Sequence, residues 1–185
     1  MMPIGPLMIE HRLIERAIKQ MRIELSQAET RKRFDVHFIG SWIDFIRIYA
    51  DIGHHGKEEK ILFRELENRP LTPSLKQMME GLIDDHVRAR KMVSELATAL
   101  DRYADGDAEA FNQLVAVGKE LVSLYPEHIR KEDQEFFIPA MDYFTKEEKD
   151  EMLKRFHEFD ESLLHEHYRS VVETMEKRPA VNETI

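Results

Sequence analysis

The chain of 185 residues contains no cysteine. Disulfides, thiolate metal sites, Fe–S clusters held by this chain and cysteine nucleophiles are therefore excluded together. A cysteine-free composition suits a reducing cytoplasm, which is the expected compartment. Glycine and proline are sparse, seven of each, so the elements should be long and their connections short. No stretch approaches the ~20 apolar residues of a membrane span. The start, Met1-Met2-Pro3-Ile4-Gly5-Pro6, lacks the basic-then-apolar pattern of a signal peptide. Basic residues are outnumbered, 27 against 36 acidic, for a formal net charge of −9. Phosphate backbones and anionic lipid heads are repelled by such a surface, so neither nucleic acid nor membrane is expected as a partner. The one basic knot, Arg31-Lys32-Arg33, reads as a solvated helix start.

Helical periodicity fills what remains. The apolar spacing predicts helices over about 7–27, 31–67, 73–103, 108–143 and 145–177. Gly53 marks a kink or π-bulge in the second, and Pro126 a split in the fourth. Thr72-Pro73 is a cap followed by proline in the first turn, and Thr145-Lys146-Glu147-Glu148 is a capping box. Period-two alternation and Gly-containing hairpin turns are both missing. The expected fold is all-α, an up-down-up-down four-helix bundle with an additional C-terminal helix, in one domain over 1–178 followed by a flexible tail, 179–185.

Nine histidines demand an explanation. The segment beginning His54-His55-Gly56-Lys57-Glu58-Glu59 aligns without gaps on the one beginning His128-Ile129-Arg130-Lys131-Glu132-Asp133. The shared pattern is H-x-x-K-E-[ED]-x-x-[LF]-F, once in the second helix and once in the fourth. A histidine and a glutamate four apart share one helix face. Two such pairs offer two imidazoles and two carboxylates, a donor set suited to two iron ions. His86 and His11 fall on the apolar stripes of the third and first helices. Each of four helices thus turns one histidine inward, and burying that many titratable groups without a metal would strand several of them. Ferritin-like Glu-x-x-His, the zinc-protease H-E-x-x-H, the nucleophile elbow and the phosphate loop are all absent.

Glu10-His11-Arg12, the two H-x-x-K-E blocks and Asp85-His86 resemble the hemerythrin-like, or HHE cation-binding, proteins over roughly residues 3–140. The resemblance implies a non-haem di-iron centre (Fe2+/Fe3+ with a bridging oxo or hydroxo group) held by His11, His54, Glu58, His86, His128 and Glu132, with the two carboxylates bridging. It also implies a carrier or sensor that binds or reacts with O2, NO or peroxide. Rival readings are a di-iron oxidase or peroxidase and an iron-sensing binding module. The family's iron-centre repair branch is associated with a cysteine-containing segment, which a chain without cysteine does not match.

Oxygen carriers of the family place a second histidine one turn after the first on the third helix; here that position is Arg90. Four imidazoles, two bridging carboxylates and a bridging oxygen fill ten of the twelve positions of two six-coordinate irons, leaving two. Candidates for a further ligand are His165 by resemblance, His167 by spacing, His157 and Glu15. His37 is expected in solvent. Between His54 and His55 the spacing alone is tied, since each has a glutamate four residues on. The repeat register selects His54, which leaves His55 behind the ligands or on the surface.

Overall fold

The computed structural model describes residues 2–176, with side chains through Leu163. Five helical rods run in order: α1 (Ile4–Arg31), α2 (36–66), α3 (Pro73–Ala104), α4 (110–141) and α5 (Lys146–Glu176). No strand occurs among the described residues, and none of their helices is long and apolar enough to cross a membrane. The first four rods pack in a ring, α1 on α2 and α4, α3 on α2 and α4. Short connections at 32–35, 67–72, 105–109 and 142–145 fit antiparallel neighbours.

Local chemistry sets the ends. Asp35 accepts a hydrogen bond from the Phe38 N–H at 3.0 Å and starts α2 there. The basic knot is therefore not a helix start: Arg31 ends α1, and Lys32 takes a left-handed conformation (φ 57°) that turns the chain. Thr72 caps α3 ahead of Pro73. Thr145 and Glu148 close the reciprocal capping box of α5, at 3.2 and 2.8 Å. Pro126 lies inside α4 without splitting it.

Two rods depart from α geometry at matching places. In α2, Ile46–His55 and Glu58–Phe63 are π-helical; in α4, Glu132–Phe136 is. A π segment thus opens on the glutamate of each repeated block. The wider i→i+5 turn changes which neighbouring side chains share a face, and such turns concentrate at functional sites.

Burial along α1 falls at Ile4, Leu7, His11, Ile14, Ile18, Met21, Leu25 and Ala28. Along α3 it includes Leu75, Met79, Leu82, His86, Ala89, Val93 and Leu96. Spacings of three and four make one continuous inward stripe on each rod, and a histidine occupies one step of it. The apolar core is consequently divided in two. One cluster runs from Ile14 to Ile129, the other joins Leu7, Leu62, Leu82 and Phe136. Between them lies a layer of buried polar side chains. α5 adds Met152 and Phe156 to the second cluster and covers the π segments of α2. Its Phe159 ring sits where a Cβ on Gly56 would come within 2.8 Å of it, so glycine permits this close approach.

Candidate metal centre

The polar layer consists of His11, His54, His55, Glu58, His86, His128 and Glu132, none more than 3% exposed. Their inward atoms form two groups, His11, His54, Glu58 and Glu132 in one, His55, Glu58, His86 and His128 in the other. Within each group, one donor atom per residue lies within 4.8 Å of every other. The two glutamates divide their oxygens between the groups. Glu58 turns Oε1 toward His54 Nε2 (3.4 Å) and Oε2 toward His86 Nε2 (3.5 Å). Glu132 turns Oε2 toward His11 Nε2 (3.1 Å) and Oε1 toward His128 Nε2 (3.2 Å). Two donors each ~2.1 Å from one ion at a right angle stand ~3 Å apart, so each of these pairs is spaced as two ligands of one ion would be.

Behind the donors, each histidine turns its other nitrogen to a carboxylate. His11 Nδ1 meets Asp133 at 2.7 Å, His54 meets Glu10 at 2.8 Å, and His86 meets Glu59 at 2.7 Å. His55 Nδ1 lies 3.3 Å from Asp51, whereas His128 Nδ1 faces Asp85 at 3.7 Å, beyond hydrogen-bond reach. A carboxylate at Nδ1 favours the Nδ1–H tautomer and leaves the Nε2 lone pair pointing inward, an arrangement typical of metal-bound imidazole. The outer carboxylates have cations of their own: Arg12 on Asp133, Lys57 on Glu10, Arg90 on both Asp51 and Glu59, and Lys131 on Asp85.

The inner layer is not compensated in this way. Both oxygens of Glu58 and of Glu132 are buried without a hydrogen-bond partner, as are His11 Nε2, His54 Nε2 and His128 Nδ1. Buried polar atoms are almost always satisfied, and this many unpaired acceptors around two points is what a pair of cations would resolve. Burial and the facing Glu132 push the Glu58 carboxyl well above the usual carboxylate range. Burial opposes the Glu132 charge too, but His128, His11 and His86 outweigh it and hold that carboxyl well below the usual range. His54 is lowered to about 4, chiefly by burial. His128 is opposed by burial yet raised to about 9 by Glu132 and Asp85; the rings of His86 and His55 also face it.

A pH dependence follows. The raised His128 value favours its protonated form in the metal-free protein near neutral pH, and a metal would compete with that proton. Loading at pH 7 is expected to release that proton, read as a buffer-dependent heat of binding. Without metal, the His128 contribution to stability is complete below its ordinary value of ~6.5 and is lost as pH rises through about 9. Heats identical in buffers of different ionisation enthalpy would contradict this.

All six residues expected from the sequence, His11, His54, Glu58, His86, His128 and Glu132, converge here. His55 is the correction. It is 2% exposed, stacks on His86 with ring centroids 3.8 Å apart, and belongs to the second donor group. The repeat register missed it because it assumes that both helices keep α geometry. In the π turn two adjacent histidines both reach inward, one to each group. The structural echo of His128 is thus His54, while His55 has no counterpart. Of the further candidates, Glu15 is half-buried and paired with Arg12, and His157 is exposed beside Glu161. Neither joins the layer. His165 and His167 lie outside the described side chains, as does the 179–185 tail. His37 is exposed.

The outer carboxylates also escaped sequence reasoning, although their signal is simple. Glu10, Glu59, Asp85 and Asp133 each adjoin a donor in the chain, yet each serves a histidine on a different rod. Arg90, where oxygen carriers have a histidine, instead clamps Asp51 and Glu59.

A family model described as the hemerythrin HHE cation binding domain matches residues 2–138. No curated protein matches the chain.

Proposed function

Because the chain belongs to the hemerythrin HHE cation-binding domain family and thus to a group of metal-binding proteins, we propose that its metal is a pair of non-haem irons serving a carrier or sensor of O2, NO or peroxide. The observation that carries this reading is the split of each inner carboxylate between two donor groups. Imidazole and carboxylate, with no thiolate, suit iron. His11 and His54 would hold one ion, His55, His86 and His128 the other, with Glu58 and Glu132 shared. Bound there and joined by an oxo or hydroxo bridge, the two irons would supply a redox-active pair with room for one small ligand.

That room follows from the donor count. His55 raises the filled positions from the ten expected for four histidines to eleven of twelve. The shortfall falls on the half with two histidines. A cavity of about 240 Å³ lies behind His54 on that half, lined also by Glu10, Lys57 and Asp160. A second of about 300 Å³ ends at His55 and Tyr125. The remaining surroundings exclude water. Phe63, Phe136 and Phe137 are almost fully buried on one side of the layer, and Ile14, Ile46 and Ala50 on the other. A dry wall strengthens electrostatic attraction between the centre and a small anion such as peroxide or azide.

Anaerobic loading with Fe2+, metal analysis and an absorption spectrum after exposure to air test the proposal. Two irons per chain and near-ultraviolet oxo-to-ferric bands that shift on adding azide are expected. Retention of fewer than two irons, or bands indifferent to azide, would refute it. Reversible O2 uptake without turnover supports a carrier, and sustained peroxide consumption supports the oxidase or peroxidase reading.

A further inference from the structure

The donor geometry uses the histidine and the glutamate of each repeated block and leaves the lysine between them, Lys57 or Lys131, without a role. In the first block, His54 Nδ1–H donates to Glu10 Oε2 at 2.8 Å, and the Lys57 ammonium donates to the other Glu10 oxygen. In the second, His128 Nδ1 and Lys131 Nζ approach the same oxygen of Asp85, at 3.7 and 3.3 Å. Each lysine therefore holds the carboxylate that stands behind the histidine of its own block. That carboxylate comes from another rod, α1 in one case and α3 in the other.

The two lysines differ in surroundings. Lys131 is a third exposed and also nears Glu127, so water can replace it. Lys57 is 2% exposed and lies between Glu10 and Asp160 of α5, whose oxygens are 2.8 and 3.0 Å from the ammonium. Burying an ammonium is costly unless partners fix it closely. An apolar side chain would pack under α5 without that cost. Lys57 thus fits a requirement at Glu10 rather than a requirement of packing. Without the ammonium, the Glu10 carboxylate would turn toward the adjoining cavity and release the imidazole of His54.

On the di-metal reading above, we infer that Lys57 is a positioning residue that holds Glu10 against His54, and that Asp160 completes this hold, making the C-terminal helix part of the two-histidine half of the centre. α5 begins at Lys146, beyond the 2–138 match to the family. The contribution therefore belongs to this chain and not to the matched domain alone.

The test is anaerobic Fe2+ titration of the full chain, resolving the two equivalents, for wild type, Lys57→Met, Glu10→Gln, the double variant and Asp160→Asn, with folding followed by circular dichroism. Removing a group that orients a ligand costs ~10–100-fold in metal affinity. Lys57→Met and Glu10→Gln should each weaken one equivalent by at least ~10-fold and leave the other within about twofold. The double variant should be no worse than Glu10→Gln, because Lys57 acts through Glu10. Asp160→Asn should weaken the same equivalent, to a lesser degree. Unchanged affinity in Lys57→Met, or losses that add in the double variant, would overturn the inference. Should Lys57→Met fail to fold, Asp160→Asn decides alone: its carboxylate is half-exposed, and unchanged affinity for the equivalent that Glu10→Gln weakens rejects the link. Failure of the di-metal reading itself would show earlier, as wild type holding fewer than two metals.

Discussion

Glu58→Gln is expected to bring the metal content from two ions per chain to below one, a larger loss than removal of any single histidine. The reason is geometric. Each oxygen of Glu58 faces a different donor group, so neutralising it withdraws an anionic ligand from both ions at once. The same substitution should have the opposite effect on the metal-free protein. Glu58 is fully buried, its oxygens have no partner, and Glu132 lies across from it. A carboxyl pushed up by burial costs folding stability once pH exceeds its ordinary value, so metal-free Glu58→Gln should be the more stable protein at pH 7. The sign depends on pH. Because the Glu58 carboxyl is raised in the folded state, its contribution to stability is intact below the ordinary carboxyl value and is lost as pH rises. The advantage of the variant should therefore shrink toward pH 4. Paired metal analysis and denaturant unfolding of metal-free protein check both halves. Retention of two metals, or a metal-free variant less stable than wild type at pH 7, would contradict the account.

His54→Ala and His55→Ala should each lose metal, but from different halves. His54 stands with His11 in the group that has two histidines, and its loss leaves one imidazole there. Content near one ion per chain is expected. His55 stands with His86 and His128, so its loss leaves two imidazoles and weakens the second ion without abolishing it. A drop of ~10-fold or more in the affinity of one equivalent is anticipated, with stoichiometry recovered at high metal. The double variant should add the two losses, since the residues stand in separate donor groups. The repeat register by itself leads to another outcome, in which His55→Ala keeps both metals untouched. Titration of the two single variants separates these possibilities, and an unaffected His55→Ala would mean that the π-helical register of α2 is not the one that binds metal.

The particular residues show where sequence sufficed. Apolar steps of three and four on α1 and α3 fix which side of each rod is inward, and a histidine on such a stripe goes inward with it. Caps at Thr72 and Thr145 are local hydrogen bonds between residues three apart, so a linear reading finds them. The repeated block locates Glu58 and Glu132 because a His–Glu pair four apart needs only one helix turn to share a face.

What the sequence alone determined is thus the all-helical class, the inward faces of the rods and the six residues that converge between two apolar plugs. Only the tertiary structure decided the pairing across rods. Glu10 is adjacent to His11 but serves His54, Asp85 is adjacent to His86 but faces His128, and Asp160 reaches Lys57 from 103 positions away. The π turn of α2 belongs to the same class, because the helix geometry that turns both His54 and His55 inward is not encoded in an α-helical spacing rule. Periodicity specifies a direction from one axis, whereas a shared site is a meeting of several axes, and their relative rotation is set by packing across the whole bundle.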